Sequence, residues 1–456
     1  MSTIADWIWT PFLSLIYLEL GVLFLLVTGG VVLRRAVPIF LVQIRQLGNQ
    51  RTDGGHIGHT HGFFAGLATS IGVGNMAGVG TAIHLGGPGA LFWMWVSALL
   101  GMSFRMCSTY MALRYQPSDD KDPVFGTPMV YLQRFFSGRW AFIAPLFAGV
   151  IIAKGLVAAN LIQSNSVAHA IQEHLGYSSG IVALALSALV ALVVISGLNS
   201  ILNVSMALAP WMAGGYLALA LWVLGSHPAR TLASFHAVIE HAFTPYTLAG
   251  GIAGYSVMQA VQFGIARGIF SHGSGIGLAP FLHAANRDHP VVGAMMAGMI
   301  PLVDTILVCT ATGLVILSSG LWHEQTGAYL TVSAFQMASG DGARLAVTLC
   351  LVVFAFTTII NWSYFSERCF LFLGGRNRVA YRWFFVMVTF CGPFLPVATI
   401  WSVGDLLIAA LIIIHLLPLT YLLLRYNRTL RHDLNTSIAS TEGGGRSLRN
   451  DGAPTL

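Results

Sequence analysis

Stretches of roughly 20 apolar residues, the length that crosses about 30 Å of hydrocarbon, recur eleven times along this chain, and nothing limits its fold more. They cover approximately 14–33, 63–84, 89–113, 141–171, 180–200, 204–225, 247–272, 291–319, 343–370, 381–400 and 404–426. Charge agrees with them: only 9% of the 456 residues are Asp, Glu, Lys or Arg, against roughly 25% in soluble domains. Such a chain cannot hydrate its own outside, so lipid is its solvent and the bilayer its first partner. Backbone in hydrocarbon must satisfy its own hydrogen bonds. The expected fold is therefore an all-α integral membrane protein of about 11 transmembrane helices.

The five cysteines (Cys107, Cys309, Cys350, Cys369 and Cys391) stand singly in apolar segments and read as small buried hydrophobes. The net charge of +6 comes from arginines scattered between spans rather than gathered on one soluble face, so no nucleic-acid partner is expected. No cleavable signal is expected, because the first 13 residues hold Asp6 and no basic residue. With the N-terminus outside, all of the 23 Lys and Arg except Arg230, Arg344 and Lys154 fall to cytoplasmic loops and the C-terminal segment. That count includes Arg105, Arg267 and Arg368. The positive-inside rule then predicts a multi-pass protein of the plasma (inner) membrane with its C-terminus in the cytoplasm.

Two spans are interrupted. The second holds Ile71-Gly72-Val73-Gly74-Asn75-Met76-Ala77-Gly78-Val79-Gly80, and the seventh runs into Phe270-Ser271-His272-Gly273-Ser274-Gly275-Ile276-Gly277. Paired glycine-broken spans at matching places in two halves point to a transporter's binding site. Residues 1–62 then form an extra N-terminal helix and cytoplasmic loop. Residues 63–240 and 241–431 form two five-helix repeats, inverted because each holds an odd number of spans. Residues 432–456, polar and glycine-rich, read as a disordered cytoplasmic tail.

An unwound stretch survives in a bilayer only where it lines a cavity. It frees amides that suit a carboxylate and carbonyls that suit a cation. Gly72, Val73, Gly74 and Asn75 form the first such stretch; Gly78, Gly80, Gly86 and Gly87 read as helix packing instead. Thr357 and Thr358, mid-span, offer hydroxyl ligands to a cation, or bond back to their own helix. Gln163 can recognise substrate or bridge helices. Lys154, costly in mid-span, can snorkel, pair with a carbonyl, or act as a fixed charge or proton carrier. Asp304 with Thr305, and Glu367 with Arg368, read as structural pairs. His56, His59 and His61 form a short cluster with weak metal-site character. Neither break contains Asp or Glu, so an entering Na⁺ needs a substrate that brings a carboxylate, as a zwitterionic amino acid does.

Several segments resemble the alanine or glycine:cation symporter family, the sodium:alanine symporters. They include Gly74-Asn75-Met76-Ala77-Gly78, Gly86-Gly87-Pro88-Gly89-Ala90, Thr127-Pro128-Met129-Val130-Tyr131-Leu132, Gln163-Ser164-Asn165-Ser166, Arg267-Gly268-Ile269-Phe270-Ser271, Asp304-Thr305 and Trp362-Ser363-Tyr364. The resemblance implies a LeuT-type fold of five-plus-five inverted repeats and Na⁺-driven uptake of alanine, glycine or similar small neutral amino acids. It implies that the substrate carboxylate meets amides near Val73 and Gly74, with Gln163, Ser271 and Trp362 lining the pocket. It implies Na⁺ between carbonyls near Ala68 and Ile71 and the hydroxyls of Thr357 and Thr358, with Asn75 offering an amide oxygen. One departure stands out: the family's Asn-Glu-Ala-Gly after Phe-Ser is His272-Gly273-Ser274-Gly275 here. Without that acid, H⁺ rather than Na⁺ coupling or exchange remains the alternative on the same fold. A non-transporting amino acid receptor is the rival of another class. An enzyme is not expected, since no carboxylate pair or histidine-rich span of a catalytic kind occurs.

Overall fold

The computed structural model describes residues 9, 12–45, 59–117, 122, 125–246, 256–283 and 290–442. Every regular element among them is helical. Six helices are long and apolar enough to cross a bilayer, and two bent pairs bring the number to eight. The remaining expected spans correspond to shorter helices: α9 (Ser179–Val194), α12 (Val257–His272) and α17 (Arg378–Cys391). Part of the expected 247–272 span, at 247–255, lies outside the described residues.

The first bent pair is α1 (Phe12–Val27) with α2 (Val31–Arg45), turned by 70° at Gly29 and Gly30. Both glycines have positive φ, which a side chain resists. α2 occupies sequence expected to be loop. The second pair is α3 (His59–Ser70) and α4 (Ala77–Gly86), bent by 59° around a single 3₁₀ turn at Val73–Asn75. The His56, His59 and His61 cluster falls outside the described side chains.

α5 (Gly89–Arg114) is the axis of the bundle: it is buried along most of its length and packs against α12 and α14 (Pro290–Pro301). α10 (Leu198–Ser226) is just as apolar but exposes Trp211 and Trp222, as a lipid-facing helix should. Arg105 and Arg267, expected in cytoplasmic loops, are instead buried within α5 and α12. Glu367 is paired, though with Arg382 (2.6 and 2.9 Å) rather than with its neighbour. Arg368 donates to the carbonyls of Asp122 and Phe125.

Beyond α5 come α6 (Met129–Phe135), then α7 (Ile143–Leu156) and α8 (Ile162–Leu175), joined by a π-helical turn at Val157–Leu161. An amphipathic α11 (Pro228–His241) follows α10, where a loop was expected. A second π stretch, Leu302–Cys309, joins α14 to α15 (Thr310–Ser319). α16 (Gly327–Phe372) kinks at Ser339 and Gly340. After α17, α18 (Val397–Leu411) leads through a third π turn to α19 (Leu417–Glu442). The expected tail therefore begins as helix. Asp433 accepts from Tyr110 at 2.6 Å, and Arg431 donates to the Val27 carbonyl, so α19 is tied to α5 and α1.

Candidate functional site

The first break is held open by its own side chains. Gly72 N–H donates to Asn75 Oδ1 at 2.9 Å, and Val73 N–H donates to Gln163 Oε1 on α8 at 3.0 Å. In a continuing helix those amides would serve the carbonyls of Ala68 and Thr69. Both oxygens are thus released at the end of α3, where the helix dipole is negative. Thr358 on α16 faces this helix end: its Oγ1 lies 3.4 Å from Ile71 O and 3.5 Å from Thr69 O. A Cβ on Gly72 would stand 2.6 Å from that hydroxyl and 3.3 Å from Gln163 Oε1. Gly72 has no side chain because that space already holds these two groups.

The second break, between α12 and the one-turn helix α13 (Pro280–His283), uses three glycines with positive φ: Gly273, Gly275 and Gly277. His415 braces it, donating from Nδ1 to Gly275 O at 2.6 Å and receiving the Tyr131 hydroxyl at Nε2, also at 2.6 Å. His272 is engaged as well: its Nδ1 accepts from Ser274 N–H, and Nε2 faces Ser97 Oγ at 3.2 Å. α5 clamps this end, with Arg105 donating to His272 O (2.6 Å) and Ala297 O (3.1 Å).

Asp304, in the second π stretch, ties the breaks together. Its carboxylate accepts from Asn75 Nδ2 at 2.8 Å, Ser271 Oγ at 2.7 Å and Thr305 Oγ1 at 2.9 Å. The expected Asp304–Thr305 pair exists, but it is the smaller part of the role. A lone acid in an apolar span, with Asn75 and Ser271 among the polar residues of the breaks, was the signal for that link.

Between the breaks lies a partly open cavity lined by both of them. Of the expected site residues, Gly72, Gly74, Gln163, Ser271, Trp362 and Thr358 line it. Val73 joins it through Gln163, and Ile71 through its carbonyl beside Thr358; Ala68 is not among the described lining residues. The Asn75 oxygen and amide are both used within the scaffold. Thr357 points elsewhere: its hydroxyl donates back to Val353 O and Phe354 O and faces Met212 on α10. Lys154 and Arg105 also line the cavity, with no carboxylate in its wall among the described residues. Gly74 packs closely, since a Cβ there would meet Phe270 at 3.0 Å and Ser271 at 3.2 Å. Gly80 and Gly86 pack as expected, Gly87 caps α4 with positive φ, and Gly78 faces open space.

A family model described as the sodium:alanine symporter family matches residues 1–439. The chain belongs to that family. It is 34% identical over 433 residues to the sodium/alanine symporter AgcS of Methanococcus maripaludis, covering 92% of this chain and 94% of that one. It is 35% identical over 401 residues to an uncharacterized transporter of Haemophilus influenzae, covering 85% and 87%. The crystal structure of MhsT in complex with L-phenylalanine superposes with a TM-score of 0.55 at 11% identity, over 82% of this chain and 98% of that one. At such identity the likeness shows the fold alone, and that fold is LeuT-type. As a sodium:alanine symporter family member, the chain is a multi-pass membrane transporter, not an enzyme, of the Na⁺-coupled amino acid class.

Proposed function

We propose that this symporter takes up small neutral amino acids of the alanine and glycine class together with Na⁺, by alternating access of two inverted repeats (63–240 and 241–431). The observation that carries the reading is the meeting of the freed Thr69 carbonyl, the Ile71 carbonyl and the Thr358 hydroxyl, beside the bare backbone at Gly72 and Gly74; the Ala68 carbonyl, freed at the same helix end, is the further ligand of this reading. Hard neutral oxygens suit Na⁺, and glycine backbone admits a carboxylate at close range. Gln163, Ser271 and Trp362 form the remaining substrate wall, and Trp362 and Phe270 limit the side chain that fits. The N-terminus lies outside and the C-terminus in the cytoplasm, the orientation that the basic residues near span ends support.

The test is uptake of a radiolabelled amino acid panel into proteoliposomes, with a Na⁺ gradient, with choline in its place, and with a pH gradient alone. Alanine and glycine uptake that needs Na⁺ is the expected result. Uptake driven by the pH gradient and indifferent to Na⁺ would replace the Na⁺ assignment with H⁺.

A further inference from the structure

Lys154 has no place in that account, yet it is the most conspicuous charge in the cavity. It is 4% exposed and lies in the fourth expected span. Among the described residues no carboxylate or carbonyl accepts from its ammonium. Its neighbours are two rings: Nζ lies 4.0 Å from the Trp362 ring centroid and 5.9 Å from that of Phe270. Aromatic faces hold a cation without neutralising it, and an intramembrane ionisable group calls for a partner.

Two relations say what that partner is. Trp362 and Thr358 are one turn apart on the same face of α16, and both line the cavity. Thr358 and Trp362 are offset by about 6 Å along the helix axis, so the ammonium over Trp362 and the proposed Na⁺ at Thr358 share one small cavity. Two cations in one confined cavity repel strongly unless an anion lies between them. On the other side, the Phe270 ring that touches the Gly74 position is the one beneath the Lys154 ammonium. The break itself offers less than its unwinding suggests, because the Val73 amide is already given to Gln163.

We propose that Lys154 is a substrate-contacting residue whose ammonium binds the amino acid carboxylate, placing that carboxylate between Lys154 and Na⁺. This rests on the Na⁺ position proposed above and adds a consequence to it. Without substrate, Lys154 opposes Na⁺ entry; with substrate, the carboxylate bridges both cations. Each ligand then raises the affinity of the other by the same factor.

The experiment uses full-length protein in detergent: wild type, Lys154→Met, which keeps the stem without the charge, and Lys154→Arg. Each is checked for a single symmetric peak on size exclusion. Binding of alanine, glycine, aspartate and alaninamide is titrated at several Na⁺ concentrations, and Na⁺ is titrated alone. Lys154→Met should weaken alanine binding by about tenfold to a hundredfold, the range for a charge-assisted contact. It should also tighten Na⁺ binding without substrate and shrink the mutual enhancement. Lys154→Arg should keep most of the alanine affinity. Alaninamide, which keeps the ammonium but has no carboxylate, should bind Lys154→Met at least as well as wild type. The proposal is overturned if Lys154→Met binds alanine like wild type, if it loses alaninamide to the same degree, or if it loses aspartate alone. If Lys154→Met fails to fold, Lys154→Arg decides: retained alanine binding supports the proposal and lost binding contradicts it. Alanine binding that depends on Lys154 but not on Na⁺ sinks the coupling reading instead; binding that depends on Na⁺ but not on Lys154 sinks this one.

Discussion

Thr357 and Thr358 are adjacent in sequence and turn to different neighbours, about 100° apart around α16. Thr358 faces the Thr69 and Ile71 carbonyls, whereas Thr357 bonds back to its own helix. Thr357→Ala should leave the Na⁺ concentration for half-maximal uptake unchanged. Gly72→Ala should raise it, because the new methyl would press on the Thr358 hydroxyl from 2.6 Å; uptake against Na⁺ concentration reads both. Asp304→Asn replaces one carboxylate oxygen with a donor, so either Asn75 or Ser271 is left facing it. A buried unsatisfied group costs about 1–3 kcal/mol, and thermal unfolding in detergent should show a loss of that size together with lost transport. The glycines of the first break were legible from their crowding within one apolar span; their neighbourhood with Gln163 came only with the family resemblance. The bond that spends the Val73 amide on Gln163 was not, because a sequence gives residue types and not which acceptor wins.

At the scale of elements, the long apolar spans were readable because length and hydropathy fix them. α2 and α11 were not, since 14- or 15-residue amphipathic helices pass below a 20-residue apolar window. The π stretches at Val157–Leu161 and Leu302–Cys309 leave no sequence pattern; each adds a residue to a helical turn. The first lies between Lys154 and Gln163, and the second carries Asp304, so both set which side chains reach the cavity. The second break depends on an element from far along the chain, through His415. His415→Phe should strand the Gly275 carbonyl while Tyr131 keeps Ser108 Oγ at 3.0 Å, lowering the unfolding midpoint by an amount corresponding to about 1–3 kcal/mol for the one unpaired group. A midpoint equal to wild type would show that the glycines hold the break unaided.

For the whole molecule, the membrane class followed from scarce charge, and family membership agrees with it. The basic-residue bias is weaker than it looked, because Arg105 and Arg267 serve the interior: Arg267 makes a bidentate pair with Asp405 at 2.8 and 2.6 Å. Enough arginines remain near span ends to predict sidedness. In a background without native cysteines, Glu324→Cys should react with an impermeant reagent applied outside intact cells, and Arg428→Cys should not. The reverse pattern would invert the protein. The account as a whole rests on Na⁺ and substrate sharing one cavity through Thr358. The most direct test is alanine uptake against Na⁺ concentration for wild type, Thr358→Ala and Thr358→Ser. Loss of one hydroxyl ligand should raise half-saturating Na⁺ by about tenfold to a hundredfold in Thr358→Ala, with little change in Thr358→Ser. Equal Na⁺ dependence in all three, or none in wild type, would contradict it.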